Sequence, residues 1–176
     1  GGIMATIIPE LAHISDWVFD LDNTLYSASS RIFAAVHARM GQFIAHRLGI
    51  DLDQAKRIQR DYYQQYGTTL NGLMQCHGIH PDDYLSYVHQ IDLSALQPDS
   101  QLAAALRRLP GRKWIYTNGS TKHAERVLSQ LAIADQFQDI YDIVRAKFEP
   151  KPSLPPYRRM LADFAISPSQ AAMVED

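Results

Sequence analysis

The chain has 176 residues, of which 46% are hydrophobic and 20% charged, with a net charge of −2 at pH 7. That length and composition suit one globular domain, or a core with a small accessory lobe, and supply enough apolar residues for a sizeable interior. They exclude a basic field for nucleic acid or an anionic membrane. No apolar run approaches the ~18 residues of a membrane span, and the single Cys76 rules out an intrachain disulfide or a cysteine metal cluster. With no charged-then-apolar leader at the N-terminus, a cytoplasmic location is expected.

The first strand is expected at Asp16–Leu21, carried by the apolar run Trp17-Val18-Phe19. Its end holds two carboxylates, Asp20 and Asp22. Strand side chains alternate faces, so Asp20 and Asp22 are expected to converge on one spot at the strand's C-terminal end. Two carboxylates that close repel unless a cation or a shared proton lies between them. From Ser27 to about Pro98 the pattern turns helical. Ser30 can cap a helix through Leu48, with Ile32, Phe33, Val36, Met40, Phe43 and Ile44 at three-to-four spacing and Gly49 as the stop. Asp51 with Gln54 reads as a capping box for a helix to Tyr66 that Gly67 ends. A short helix follows at Thr69–Cys76, and another at Asp82–His89 with Pro81 in its first turn.

Asp99 or Ser100 opens a helix to Leu109, and Leu109-Pro110-Gly111 is a turn. The second strand, Lys113–Asn118, ends in polar residues, and a helix is expected at Thr121–Leu131. The third strand is expected at Ile140–Val144. Pro150-Lys151-Pro152 breaks the chain. Pro155-Pro156 precedes a helix at Tyr157–Phe164, and Ala171–Val174 forms a fourth strand ending in Glu175-Asp176. Strands alternating with helices imply an α/β fold, a doubly wound parallel sheet with right-handed crossovers. The helical stretch is an insert within it. A strand ending in two acids is expected to lead on to a further loop, helix and strand, so the chain reads as lacking the C-terminal part of such a core.

Each polar strand end also has a bland reading. Asp20–Asn23 fits a turn, Thr117–Ser120 a turn and helix cap, Lys151 a solvated loop lysine, and Glu175-Asp176 a charged terminus. Their order gives the set its meaning: strand-DxD, strand-TN, lysine, strand-ED, all on one edge of a parallel sheet, where ligands bind in such folds. In that order the four pieces resemble motifs I to IV of the haloacid dehalogenase (HAD) superfamily. WVFDLDNTLY matches its first motif, hhhhDxDxT, where h is apolar. Tyr66–Leu73 (YGTTLNGL), Pro110–Lys113, and Thr117-Asn118-Gly119 with His123-Ala124 resemble the pyrimidine 5′-nucleotidase branch.

The resemblance implies a Rossmann-like HAD core at 4–25 and 99–176 and an all-helical C1-type cap at 26–98. It implies a phosphomonoester hydrolase with Asp20 as nucleophile and Asp22 as general acid and then base. Thr117, the Asn118 backbone N–H and Lys151 are expected to bind the phosphate oxygens. Asp20, the Asp22 carbonyl and Asp176 are expected to hold Mg²⁺, with Glu175 on a metal-bound water. Tyr26, Tyr66, Thr68, Thr69 and Asn71 are the candidates for base or sugar contacts, although Tyr62, Tyr63 and Tyr66 at helical spacing also suit plain packing. Seven histidines lie without paired ligand spacing, so none is assigned to a metal. The expected partner is a small phosphorylated metabolite, a nucleoside monophosphate such as UMP or CMP, acted on by a monomer or homodimer. A phosphosugar substrate, or a HAD-like protein that binds phospho-ligands without turnover, are the alternatives. The acid at Asp22 favours phosphoryl transfer over dehalogenation, because a halide leaving group needs no proton.

Overall fold

The computed structural model describes residues 9–22, 24–26 and 31–175. Four strands, β1 (Asp16–Phe19), β2 (Arg112–Tyr116), β3 (Ile140–Tyr141) and β4 (Ala171–Val174), form one parallel sheet in the order β3-β2-β1-β4. In the register, Phe19 of β1 lies beside Ile115 on one side and Val174 on the other. Helix α5 (Ser100–Arg108) precedes β2, α6 (Thr121–Gln130) joins β2 to β3, and α7 (Leu154–Asp163) joins β3 to β4. The remaining helices, α1 (Arg31–Leu48), α2 (Leu52–Tyr66), α3 (Thr69–His77) and α4 (Pro81–Val88), fall between β1 and α5.

The chain divides into two compact units, residues 1–28 with 96–176, and residues 29–95. In the first, the apolar runs of the strands suit a parallel sheet covered on both faces. Val18, Trp114, Tyr116 and Tyr141 form one buried layer with Met160, Leu161 and Phe164 from α7 and its C-cap, and the Trp114 and Phe164 rings stack 4.4 Å apart. Phe19, one residue on from Val18, meets Phe137 edge-on at 5.7 Å, as the two-residue alternation of a strand requires. At the N-terminal end of the sheet, buried Asp16 accepts from Arg112 Nε at 2.8 Å and Trp114 Nε1 at 2.9 Å. The turn into β2 presses against the same corner. Gly111 sits at φ +102°, and a Cβ there would stand 2.2 Å from the Ser15 carbonyl oxygen.

The described elements of the second unit are all helices. Asp51 caps α2 by accepting from the Gln54 N–H at 2.8 Å, Thr68 caps α3, and Pro81 occupies the first turn of α4. Gly78 ends α3 in the left-handed region at φ +62°, where only glycine is free of Cβ strain. The expected cap at Ser30 lies outside the described residues.

Four expectations are corrected. β1 ends at Phe19 rather than Leu21, and β2 runs from Arg112 to Tyr116 rather than from Lys113 to Asn118. β3 has two residues instead of five, because Asp142 turns the chain: its carboxylate accepts from the Arg145 N–H and from the N–H and hydroxyl of Thr121. And α7 starts at Leu154, so Pro155 and Pro156 stand inside its first turn, where missing N–H groups cost nothing.

Candidate active site

The sheet order reverses direction at β1, with β2 and β3 on one side and β4 on the other. In open α/β sheets that switch point, at the carboxyl ends of the strands, is where ligands bind. Asp20 and Asp22 follow β1, Thr117 and Asn118 follow β2, and Glu175 follows β4.

Asp20 is the first residue beyond β1, yet its N–H still donates to the Val174 carbonyl at 3.1 Å. Pairing with β4 therefore fixes where its side chain leaves the sheet. Lys151 reaches it from the loop before α7: Nζ lies 2.8 Å from Asp20 Oδ1 and 2.9 Å from the Tyr116 carbonyl oxygen. The same ammonium stands 5.2 Å from the centre of the Tyr116 ring, a favourable place for a cation. The Lys151 N–H donates to Asn118 Oδ1 at 2.9 Å, so the lysine is anchored at its backbone as well as at its tip. Both charges are largely withdrawn from water, with 14% of the Lys151 side chain and 26% of the Asp20 side chain exposed.

Asp22 does not lie on a strand, so alternation is not what brings it near Asp20. A turn does: the Leu25 N–H donates to the Leu21 carbonyl at 3.2 Å, and Asp22 and Tyr26 form a backbone bridge. The Tyr26 hydroxyl donates to Asp22 Oδ1. Burial pushes the Asp22 carboxyl above the usual carboxylate range, and the charge of Asp20 adds to this, while the Tyr26 hydrogen bond and Lys151 act the other way. Burial likewise pushes the Tyr26 phenol up. Thr24 Oγ1 is buried with no hydrogen-bond partner among the described residues.

Thr117 is buried, and its Oγ1 accepts from the Gly119 N–H at 3.0 Å, which leaves the hydroxyl hydrogen for another oxygen. Asn118 and Glu175 are exposed. Glu175 and Lys151 share a cavity of about 180 Å³ with Tyr116, Leu154, Tyr157 and Met173. Among the described residues no three His, Cys, Asp or Glu side chains form a metal cluster; Asp176, the expected further ligand, lies outside them. The donors that are present are oxygens, a carboxylate and a carbonyl at the end of β1 and a carboxylate beyond β4. That set fits Mg²⁺, which takes one or two protein carboxylates and completes its shell with water and phosphate.

The candidate specificity residues lie in the helical unit, apart from Tyr26. Thr68 Oγ1 accepts from the Asn71 N–H at 3.0 Å, and buried Thr69 donates to the Gln59 carbonyl at 2.9 Å. Asn71 Nδ2 lies 3.5 Å from the Tyr66 carbonyl oxygen, and the Tyr66 hydroxyl accepts from Cys76 Sγ at 3.1 Å. These contacts hold the α2–α3 corner together. Two features of the site escaped the sequence reading. The Tyr116 carbonyl that steadies Lys151 is a backbone group, and no side-chain pattern announces it. The Tyr26–Asp22 contact has only its four-residue spacing as a signal.

A family model described as haloacid dehalogenase-like hydrolase matches residues 18–176. Phosphate metabolism protein 8 of Saccharomyces cerevisiae is 37% identical over 134 residues, which cover 69% of this chain and 41% of that protein. The chain thus matches less than half the length of that relative. Among solved structures, the HAD-hydrolase YfnB from Bacillus subtilis bound to magnesium gives a TM-score of 0.53 at 18% identity, over 91% of this chain and 77% of that one. L-2-haloacid dehalogenase from Xanthobacter autotrophicus gives 0.50 at 16%, over 91% and 69%. These structures share the fold. The family match takes in nearly the whole core and every described strand end of the site, and the chain belongs to the haloacid dehalogenase-like hydrolases.

Proposed function

We propose that this hydrolase is a Mg²⁺-dependent phosphomonoesterase that acts through an aspartyl-phosphate on Asp20 and takes pyrimidine nucleoside 5′-monophosphates, UMP and CMP, as substrates. The observation that carries the reading is the seating of Asp20, which is salt-bridged at 2.8 Å to a lysine held at both ends, two residues before a second, half-buried carboxyl. A carboxylate fixed beside a cation is set to meet an anionic phosphate, since the cation offsets the repulsion between them.

Asp20 attacks phosphorus in line, and Asp22 gives a proton to the leaving oxygen and later takes one from the attacking water. Lys151, the Thr117 hydroxyl and the Asn118 N–H bind the other phosphate oxygens. Asp20, the Asp22 carbonyl and Asp176 would hold Mg²⁺, with Glu175 on one of its waters; when bound, the ion supplies charge neutralisation at the phosphate. Residues 26–98 act as the cap, and Tyr66, Thr68, Thr69 and Asn71 at the α2–α3 corner select the base or sugar. The similarity to Phosphate metabolism protein 8 supports phosphate chemistry over the dehalogenation that other members of the fold carry out. The protein is read as cytoplasmic; no described helix is long and apolar enough to cross a membrane.

The test is phosphate release by the full-length protein from UMP, CMP, dTMP, AMP, GMP and glucose 6-phosphate, with Mg²⁺ and with EDTA. Release confined to Mg²⁺ and concentrated on pyrimidine nucleotides is expected. Asp20→Asn should lower turnover by roughly 10⁴-fold or more while the protein still folds. Release from the sugar phosphate instead overturns the substrate, and an active Asp20→Asn protein overturns the mechanism.

A further inference from the structure

The turn after β1 folds Tyr26 back onto Asp22. A hydrogen bond from Leu25 N–H to the Leu21 carbonyl closes it, the backbones of Asp22 and Tyr26 bridge, and the phenol donates to Asp22 Oδ1. Tyr26 is only 8% exposed, and Leu21 and Leu25 are buried beside it in sequence. The ring is therefore held in the interior, and its one polar atom is committed to the carboxyl that the mechanism uses for proton transfer.

A carboxylic acid delivers a proton only from an oxygen aimed at the acceptor. A free carboxyl rotates, and either oxygen can carry the hydrogen. An O–H donor on Oδ1 removes both freedoms. While Oδ1 accepts from the phenol, a protonated Asp22 carries its hydrogen on Oδ2, because a hydrogen on Oδ1 would face the one that the phenol donates. The backbone bridge fixes the distance from which the phenol acts, so the carboxyl plane is set before substrate arrives.

We propose that Tyr26 is a positioning residue for proton transfer: it grips Oδ1 of Asp22 and presents Oδ2 to the leaving oxygen of the substrate. This role rests on the phosphomonoesterase reading above. In the first step an Asp20 carboxylate oxygen bonds to phosphorus and the ester P–O bond breaks; its electron pair stays on the leaving oxygen, which takes the proton from Oδ2. In the second, a water oxygen bonds to phosphorus, its proton passes to Oδ2, and the P–O bond to Asp20 breaks to return the carboxylate and free phosphate. The Tyr26 proton moves in neither step.

The experiment compares two leaving groups in the full-length protein with Mg²⁺. Single-turnover release of uridine from UMP needs a proton on an alkoxide; release of nitrophenol from p-nitrophenyl phosphate does not. In Tyr26→Phe, which keeps the ring, uridine release should fall roughly ten- to a hundredfold with substrate affinity unchanged, and the fall on the nitrophenyl ester should be at least about tenfold smaller. In the Asp22→Asn background the Phe substitution should add no further loss, because a residue that acts through Asp22 has nothing left to position. Equal losses on both esters, or a full further loss in the Asp22→Asn background, would mean that Tyr26 only supports the loop, and would overturn the role. A weaker affinity with unchanged turnover would make it a substrate contact and overturn it too. A wild-type protein that cleaves neither ester overturns the proposed function and this role with it. An active wild type, an inactive Asp20→Asn and a Tyr26→Phe protein equal to wild type overturn the role alone.

Discussion

Lys151 links three parts of the core through one side chain and its own backbone: its ammonium joins Asp20 to the end of β2, and its N–H fastens Asn118. Losing the ammonium leaves Asp20 and Asp22 without their shared countercharge, and Lys151 is one of the two influences that restrain the proton affinity of Asp22. Lys151→Met should thus lower kcat/KM by at least about a hundredfold, as loss of a charge aimed at the phosphate does. Lys151→Arg should rescue little of it. A planar guanidinium cannot stand as a point charge between a carbonyl and a carboxylate 2.9 and 2.8 Å away. Steady-state kinetics of the two variants checks both statements, and full recovery by arginine would show that charge alone matters. That Asp20, Asp22, Thr117 and Lys151 gather at one edge of the sheet was legible in the sequence, because their order among alternating strands and helices carries them there. What they touch was not: strand alternation gave the wrong reason for the meeting of Asp20 and Asp22, which lie instead on either side of the start of a turn closed by the Leu25 N–H on the Leu21 carbonyl.

The α2–α3 corner carries its constraint at an interior helix position. Gly72 lies in α3, and a Cβ there would meet the Tyr62 Cβ at 2.5 Å. The neighbour is the root of a side chain on another helix, so it cannot rotate aside. Gly72→Ala should destabilise the protein by roughly 1–3 kcal/mol, the range for overpacking a closed contact, despite the better helix propensity of alanine. Tyr62→Ala should rescue it only in part, because it removes the ring carbons that would stand 2.5 and 2.6 Å away but leaves the clashing Cβ. Denaturant midpoints of the single and double variants test this; a stabilised Gly72→Ala protein would mean that the helices separate freely. At the turn before β2 the obstacle is backbone. Gly111→Ala has both a positive φ and the Ser15 carbonyl against it, and should destabilise the protein by more than the ~1 kcal/mol that an unstrained Gly→Ala exchange gains. Helix starts were readable from Asp51, Pro81 and Asp99, whose capping chemistry is local. β3 was overextended because the apolar run through Val144 says nothing of Asp142 drawing the chain into a turn. Gly72 could not be read at all, since close approach of two helices leaves no pattern in either.

Acid stability is a property of the whole molecule, and one buried base bears on it strongly. His123 sits in the first turn of α6, only 4% exposed. Burial, and then the charge of Arg126, push its pKa from 6.5 down to about 4. A helix N-terminus, with its partial positive charge, is also a poor place for an imidazolium. The folded protein therefore keeps this imidazole neutral in a range where the unfolded chain protonates it. Between about pH 6.5 and pH 4 the unfolded state binds more protons, so stability falls as pH falls through that window and is intact above it. The loss from this residue should reach roughly 2 kcal/mol by pH 5 and roughly 3 kcal/mol at pH 4 and below. Asp22 works in the opposite direction: its raised carboxyl binds protons more readily in the folded state, which favours folding as the pH drops towards the ordinary carboxylate value. Comparison with a protein that lacks the imidazole isolates the histidine effect, because Asp22 is common to both. Urea unfolding of the full-length protein at pH 7, 6 and 5 should show a falling free energy. In His123→Gln, which has no proton to gain, the fall should be smaller by about 2 kcal/mol at pH 5. If the two proteins lose stability in parallel, His123 is protonated in the folded state, and the acid sensitivity of the molecule has to be sought among its carboxylates.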